Sequence, residues 1–477
     1  MSVSLIGNNG TSIATTSNPV PVTFPNDSQS FPQHVMFSHL DTTMDSFERL
    51  RVSEPRVSFA YSMVNGLRAE YWDSAAYGAG TVSPAAIAVG GAAPTLNNDW
   101  CLNLNTTTAT TTGYWMQSLY HVRYVPGISV LFRATFNATV LQANQVIRVG
   151  MFTDQGTFPS NAGDGVFLEL NGTTPRFGYR TLTGGGVGAA VVTDQTAWSL
   201  DPLNGTGTSG VTLDFTKTQH LVIEYQWLGV GTIRFGFETG SKGVVWAHEV
   251  NSVNNLAVPW SRTGSLPVRA EIYTTGVVSQ AGLLKLINCT VLTEGDIVQR
   301  ATWRYRSANS GTTVKAMSAT AATGSYYPLV AIRNSVVNDA TKRSVIIPTR
   351  INIVVQAAAT GPTALEWALI YAPTTLTSAT FAALATEGAQ VDTAAASGTA
   401  IAGGIVVTRG VFPNVVNTII DRDLNADRDN LIKIAQNAAG SLTTTGTGVY
   451  VLCVSPLGAA ATAGGGFFAA IEWKEDV

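Results

Sequence analysis

The chain has 477 residues, of which 45% are hydrophobic and only 12% charged, with a net charge of −3. At about 100–200 residues per domain this length fits several domains with sizeable cores, while soluble domains usually carry roughly 25% charged residues. So sparse a charge suits either a protein buried against neighbours in an assembly or a secreted β-protein, and it speaks against nucleic-acid binding, which calls for a basic stripe.

The densest basic run, Arg300, Arg304 and Arg306, alternates with Trp303 and Tyr305. It reads as one two-faced strand rather than a grip on single-stranded nucleic acid. No run of about 20 apolar residues offers a transmembrane helix. The opening residues, Met1 to Gly7, lack the basic start and long apolar core of a signal peptide. Cys101, Cys289 and Cys453 are odd in number and far apart, so they spell neither a disulfide framework nor a metal knuckle. Cys289 and Cys453 lie in apolar runs and read as buried thiols, suited to assembly in a reducing cytosol.

In chain order, residues 1–40 are polar and carry Pro19, Pro21, Pro25 and Pro32. With no clear periodicity they read as an extended arm that orders only against a neighbour. Val166, Leu168 and Leu170 alternate up to Asn171-Gly172, a tight-turn signal, and Phe177 and Tyr179 begin the return strand. Leu221, Ile223, Tyr225 and Trp227 alternate with Val222, Glu224 and Gln226; after Gly229-Val230-Gly231, Ile233, Phe235 and Phe237 follow on one face. This predicts a hairpin with one wet face. Val268, Ala270 and Ile272 alternate with Arg269 and Glu271, and further on Ile351, Ile353 and Val355, then Leu365, Trp367, Leu369 and Tyr371, form single faces. Ser378 to Glu387, with Phe381 and Leu384 three apart and Gly388 as a cap, reads as a short connecting helix.

Many short alternating segments between Gly, Asn, Pro and Ser clusters argue for an all-β protein. The expected order is an extended N-terminal arm and docking segment over 1–70, a jelly-roll or lectin-like β-sandwich over 71–306, a linker over 307–320, and a second, smaller β-sandwich over 321–477. No fixed-period repeat is visible, which argues against a solenoid or propeller.

Candidate chemistry is thin. His34, His39, His121, His220 and His248 are not at metal-ligand spacing. No GxSxG elbow or phosphate loop occurs. Asp421, Asp423, Asn425 and Asp427 resemble the start of a calcium loop, but Ala426 stands where Gly is needed and Ile432 where a bidentate Glu is needed. Local ion pairing with Arg422 and Arg428 is the simpler reading, so neither a metal nor a cofactor is expected. Glu169, Glu224, Glu238, Glu249 and Glu271 lie on predicted strands, and a glycosidase-type pair among them is conceivable, although solvent-facing positions are the plainer expectation. Trp198, Trp246 and Trp260 are candidates for stacking on a glycan, with core packing as the alternative.

The segment Asp45-Ser46-Phe47-Glu48-Arg49-Leu50-Arg51-Val52-Ser53-Glu54-Pro55 resembles an N-terminal stretch of structural proteins of tailed bacteriophages, cyanophages included. Asp201 to Gly207 with Leu213 to Gln219, Glu224 to Gly231 with Ile233 to Gly236, and Phe467-Phe468 with Glu472 to Val477 are similar to the same group. The resemblance implies a virion protein assembled in the host cytoplasm, exterior on head or tail, with other virion proteins as partners and a homo-oligomer, plausibly a trimer. Phe47, Arg49, Leu50, Arg51 and Glu54 are then candidates for docking on a neighbouring subunit, or else they build the first strand of the sandwich. A non-enzymatic structural component is the leading expectation, and a lectin-like module for host-surface glycan the alternative.

Overall fold

The computed structural model describes residues 55–68, 71–76, 95–96, 100–122, 124, 126–139, 141–153, 158–159, 163–181, 183, 190–240, 242–294, 303–334, 345–371, 373–383, 389–392, 397–424 and 449–476. The arm over 1–40 and the docking candidates Phe47, Arg49, Leu50, Arg51 and Glu54 lie outside these residues.

The first part of the chain forms β1 (Pro55–Ser62), β2 (Trp72–Ala76), β3 (Thr95–Leu96), β4 (Leu102–Asn105), β5 (Gly113–Val122), β6 (Val130–Thr139), β7 (Gln145–Phe152) and β8 (Gly165–Asn171). It continues with β9 (Thr174–Arg180), β10 (Val191–Asp194), β11 (Gln219–Tyr225), β12 (Ile233–Glu238), β13 (Val244–Val250), β14 (Leu266–Thr274) and β15 (Leu283–Glu294). These make an eight-stranded sheet, β13-β12-β11-β6-β15-β4-β3 with β1 beside β15, and a seven-stranded sheet, β10-β9-β8-β7-β14-β5-β2.

Alternation explains the layering. Phe132, Ala134 and Phe136 of β6, Leu221, Ile223 and Tyr225 of β11, and Ile233, Phe235 and Phe237 of β12 all point into one core. From the other sheet, Ile147, Val149, Leu168 and Phe177 enter the same core. Phe177 of β9 stacks on Phe235 of β12 at 4.7 Å and on Trp198 at 4.3 Å, so aromatic contact joins the two sheets. Each such side chain contributes about 1.5–3 kcal/mol on burial. The β8–β9 turn is the expected hairpin: Asn171 pairs with Thr174, and Gly172 takes a φ of 62°, the left-handed conformation that the turn requires.

The second part holds β16 (Trp303–Asn309), β17 (Lys315–Ala316), β18 (Tyr327–Asn334), β19 (Val345–Ala357), β20 (Ala364–Tyr371) and β21 (Phe381–Ala383). Then follow β22 (Ala389–Asp392), β23 (Ile405–Pro413), β24 (Ile419–Asp423), β25 (Val449–Leu457) and β26 (Gly466–Asp476). One sheet runs β16-β26-β19-β24 with β17 beside β26; the other runs β21-β22-β18-β25-β20-β23. Ile351, Ile353 and Val355 of β19 meet Leu365, Trp367, Leu369 and Tyr371 of β20 in a separate core.

Four expectations are corrected. Pro55–Ser62 is a sheet strand paired with β15, so the sandwich begins before residue 71. Trp303–Asn309 pairs with β26 and belongs to the second sandwich, and the stretch taken as a linker contains the end of β16 and all of β17. Phe381–Ala383 is a strand beside β22 rather than part of a helix, because the Arg333 guanidinium lies over the Phe381 ring at 3.9 Å and ties this segment to the sheet. The outer face of the β11–β12 hairpin is wet only at its His220–Glu238 end, since Val222, Glu224 and Arg234 are buried opposite the core.

With separate cores, Phe235→Ala should lower the stability of the first sandwich by about 3–5 kcal/mol, and Ile353→Ala that of the second by about 2–5 kcal/mol. Urea unfolding followed by tryptophan fluorescence reads both. Losses below about 1 kcal/mol would mean that these sites close up without leaving a cavity.

Candidate functional site

The outer face of the seven-stranded sheet carries the densest polar chemistry among the described residues. In β14 the core takes Val268, Ala270 and Ile272, so Arg269, Glu271 and Tyr273 point outward. The same parity sends Arg148 of β7, Glu169 of β8 and Arg176 of β9 to that face. Strand register then aligns them: Glu271 stands opposite Arg148, Arg148 opposite Glu169, Glu169 opposite Arg176, and Arg176 opposite Asp194. One row of alternating charge therefore crosses five adjacent strands.

The contacts are close. Arg148 donates from Nε to Glu169 at 2.7 Å and from NH1 to Glu271 at 2.9 Å. Arg176 donates to the other oxygen of Glu169 at 2.7 Å and approaches Asp194 at 3.9 Å. Arg269 donates to Glu271 at 2.9 Å and to Gln117 at 3.1 Å. Off the row, the Arg180 guanidinium bonds the Thr153 carbonyl and lies over the Phe152 ring at 4.6 Å. Burial by itself would raise the pKa of Glu271, but Arg269, Arg148 and Arg180 overcome it and hold this carboxyl below its ordinary value. Burial pushes the Tyr273 hydroxyl up.

Aromatic rings pack at the β14 end of the row, where Arg269 lies near the Phe158 ring at 5.9 Å. Phe158, between β7 and β8, meets Tyr273 edge-on at 5.6 Å and lies 6.5 Å from Trp115. The far end of that connection is anchored where Asp164 accepts from Arg262 at 2.8 Å and from the Arg262 backbone N–H at 3.0 Å. Arg148, Glu169, Arg269 and Glu271 are accordingly buried.

The other carboxylate candidates are also placed. Glu224 is fully buried and paired with Arg234 at 3.1 Å, and Arg234 lies over Trp246 at 5.0 Å. Glu238 pairs with His220 at 3.0 Å and faces Arg133 at 3.7 Å. Burial, with help from Arg133, lowers the His220 pKa against the pull of Glu238. Glu249 lies at the partly buried end of β13. Solvent-facing positions were expected for most of these groups; instead Glu169, Glu224 and Glu271 sit in buried ion pairs, because both sheets bear a second covered face.

Trp198, Trp246 and Trp260 are buried and so unavailable for stacking on a glycan. Trp198 packs on Phe177, Trp260 on Tyr225 at 5.7 Å, and Trp246 under Arg234. His248 is buried, and its Nδ1 accepts the Ser199 backbone N–H at 3.2 Å, pinning the loop before β11. Asp421 and Asp423 lie in strand β24, and Asp421 accepts a bond of 2.6 Å from Arg350, whose cation lowers its pKa. Asn425 and Asp427 lie outside the described residues, and among those described no group of three or more metal-ligating side chains gathers. All three cysteines are buried, and burial pushes the Cys289 thiol up to about 12.

Sequence reasoning missed Arg148, Arg176, Arg180, Trp115 and Phe158 as parts of one face. The available signal was a charged residue at the alternate position of successive apolar strands: Arg148 within Val146–Met151, Glu169 within Val166–Leu170, and Arg269 with Glu271 within Val268–Ile272.

No protein-family model matches the chain, and no curated protein matches it. Solved structures do. The Bacillus licheniformis β-glucanase matches at 12% identity and a TM-score of 0.32, covering 50% of this chain and 98% of its own. The carbohydrate recognition domain of Emp47p matches at 11% and 0.31, covering 51% and 98%. The alginate lyase A1-II′ matches at 11% and 0.31, covering 50% and 100%. At these scores the likeness says nothing of this chain's ligand or activity. Since several of the matched proteins are named as enzymes, the expectation of a non-enzymatic chain is withdrawn as an inference from its fold.

Arg148→Met should cost about 3–5 kcal/mol, because it leaves two buried carboxylates without the cation between them. The pH dependence has a definite sign. A carboxyl with a lowered folded pKa gives stability that is full above its ordinary value of 4.5 and lost as pH falls through the lowered one. Acid unfolding of Glu271→Gln should therefore be shallower below pH 4.5 than that of the native chain. Parallel acid limbs would show that Glu271 does not sense its arginines.

Proposed function

We propose that this chain is a structural component of a tailed-phage virion, an exterior head-decoration, fibre or tail protein that acts by assembling with other virion proteins and with copies of itself. The observation that carries this reading is the closed outer face of the seven-stranded sheet. Arg148, Glu169, Arg269 and Glu271 are buried and bonded to one another, and Phe158 packs with Trp115 and Tyr273 at the Arg269 end of the cluster. A face saturated in this way stiffens a building block instead of presenting bonds to a ligand. The segments around Phe47–Glu54, Asp201–Gly207 and Glu224–Gly236, similar to tailed-phage structural proteins, support the same reading. The sparse charge of the whole chain fits surfaces that end up covered.

Quantitative mass spectrometry of gradient-purified particles tests the proposal. The chain should appear at a fixed copy number relative to the major head protein. Its absence from intact particles would refute the virion role.

A second reading, recognition of a host-surface glycan, is favoured by one feature. Trp115, Phe158 and Tyr273 border a row of charged hydrogen-bonding groups, the combination that binds sugars by stacking and polar contact. On this reading Phe158→Ala, which uncovers the row, should raise binding on a glycan array above that of the native chain. Equal and negligible binding by both proteins would dispose of it.

A further inference from the structure

Among the described residues, each sheet of the second sandwich ends in a strand with one unpaired edge: β23 pairs only with β20, and β24 only with β19. Residues 414–418 alone connect them, and five residues reach at most about 17 Å, so the chain leaves the rim of one sheet and enters the adjacent rim of the other. This arch is firmly set. Asn414 accepts the Ala359 N–H at 3.0 Å and donates to the carbonyls of Ala359 and Pro362, each at 2.7 Å. Asn417 donates its backbone N–H to Val355 at 2.8 Å, and Val355 donates to Thr418 at 3.0 Å.

This rigid rim exposes a run of apolar side chains beside polar ones. Val411 is 60% exposed, Val415 58%, Val416 47% and Ile419 66%. β-Branched side chains lose little rotamer freedom on being covered. Beside them stand Arg409 on β23 and Asp421 on β24, both exposed and both on the outer faces of their sheets, since Phe412 and Ile420 turn to the core.

Charge then selects the pairing. An antiparallel β24 pairing with β24 of another copy sets like charge against like, because residues of equal parity face each other and Asp421 and Asp423 share one face. Pairing β23 with β24 of another copy does the reverse. In the antiparallel register that sets Val411 opposite Ile419, Arg409, which pairs with Glu366 at 3.5 Å in its own sheet, falls opposite Asp421, which pairs with Arg350 in its own, so apolar meets apolar and the two ion pairs join into one alternating cluster. The direction also fits. The arch reverses the chain between the two rims, so with outer faces aligned β24 of a second copy runs antiparallel to β23 of the first. A two-fold axis along the rim forms this contact twice, with β23 and β24 of each copy on β24 and β23 of the other.

We propose that two copies of this chain associate rim to rim through their second sandwiches, β23 of each pairing with β24 of the other in the register Val411 to Ile419. This deepens the assembly reading and rests on it.

The test uses the full-length chain. Light scattering on the eluting native protein at tens of micromolar should give twice the chain mass, and Val411→Lys should give the single-chain mass. Val411→Cys combined with Ile419→Cys should form a covalent dimer under mild oxidant, because directly opposed residues on paired strands come within disulfide reach. Either single cysteine variant should stay monomeric on a non-reducing gel, and the native cysteines, being buried, do not compete. A native protein of single-chain mass overturns the proposal. So does a dimer that the double variant fails to link, since the register would then be wrong. A chain found in particles but monomeric alone would leave the virion role standing and remove this interface.

Discussion

The guanidinium of Arg148 lies between the carboxylates of Glu169 and Glu271, and the seven-stranded sheet is ordered around that arrangement. A slip of one residue in any of β7, β8 or β14 would turn one of these charges into the apolar core, where Ile147, Leu168 and Ile272 now sit. Burying a lone charge there costs far more than any single hydrophobic contact returns. The row therefore fixes the register of the central strands, and through Phe177 and Phe235 it also fixes how this sheet lies on its partner. The eight-stranded sheet repeats the device on a smaller scale with Glu224, Arg234 and Trp246.

Much of the fold was legible in the sequence, because strand alternation is a local property. The β11–β12 hairpin, the Asn171-Gly172 turn and the inward faces of β19 and β20 could be read directly from residue order. The outer faces could not. A polar residue alternating with apolar ones looks the same whether it meets water or a guanidinium on the next strand, and the next strand here often comes from far along the chain. Arg148 meets Glu271 across 123 positions. The same blindness affected the tryptophans: Trp246 sits in a strand with nothing nearby in sequence to show that Arg234 lies on its ring. Phe381 was misread because its spacing to Leu384 is helical, while its partner, Arg333, is distant in sequence.

These features bear on function together. Surfaces that bind small ligands or sugars usually keep a few polar groups unmatched and an opening to reach them. The buried part of the charged row, Arg148, Glu169 and Glu271, is paired within itself, and Phe158 packs on Tyr273 beside it. Exposed apolar side chains gather instead on the rim made by β23, β24 and the arch between them. A stiff body with a saturated face and an apolar rim is suited to being one tile among many, and the arm-like composition of residues 1–40 agrees with that use.

The measurement that bears most directly on this account is a cryo-electron microscopy reconstruction of intact particles at a resolution that shows side chains. The account expects ordered copies of the chain on the particle, the cluster of Arg148, Glu169, Arg269 and Glu271 buried, and contacts between subunits made at strand rims. Particles without the chain, or copies whose row stands open and holds a bound sugar, would contradict it.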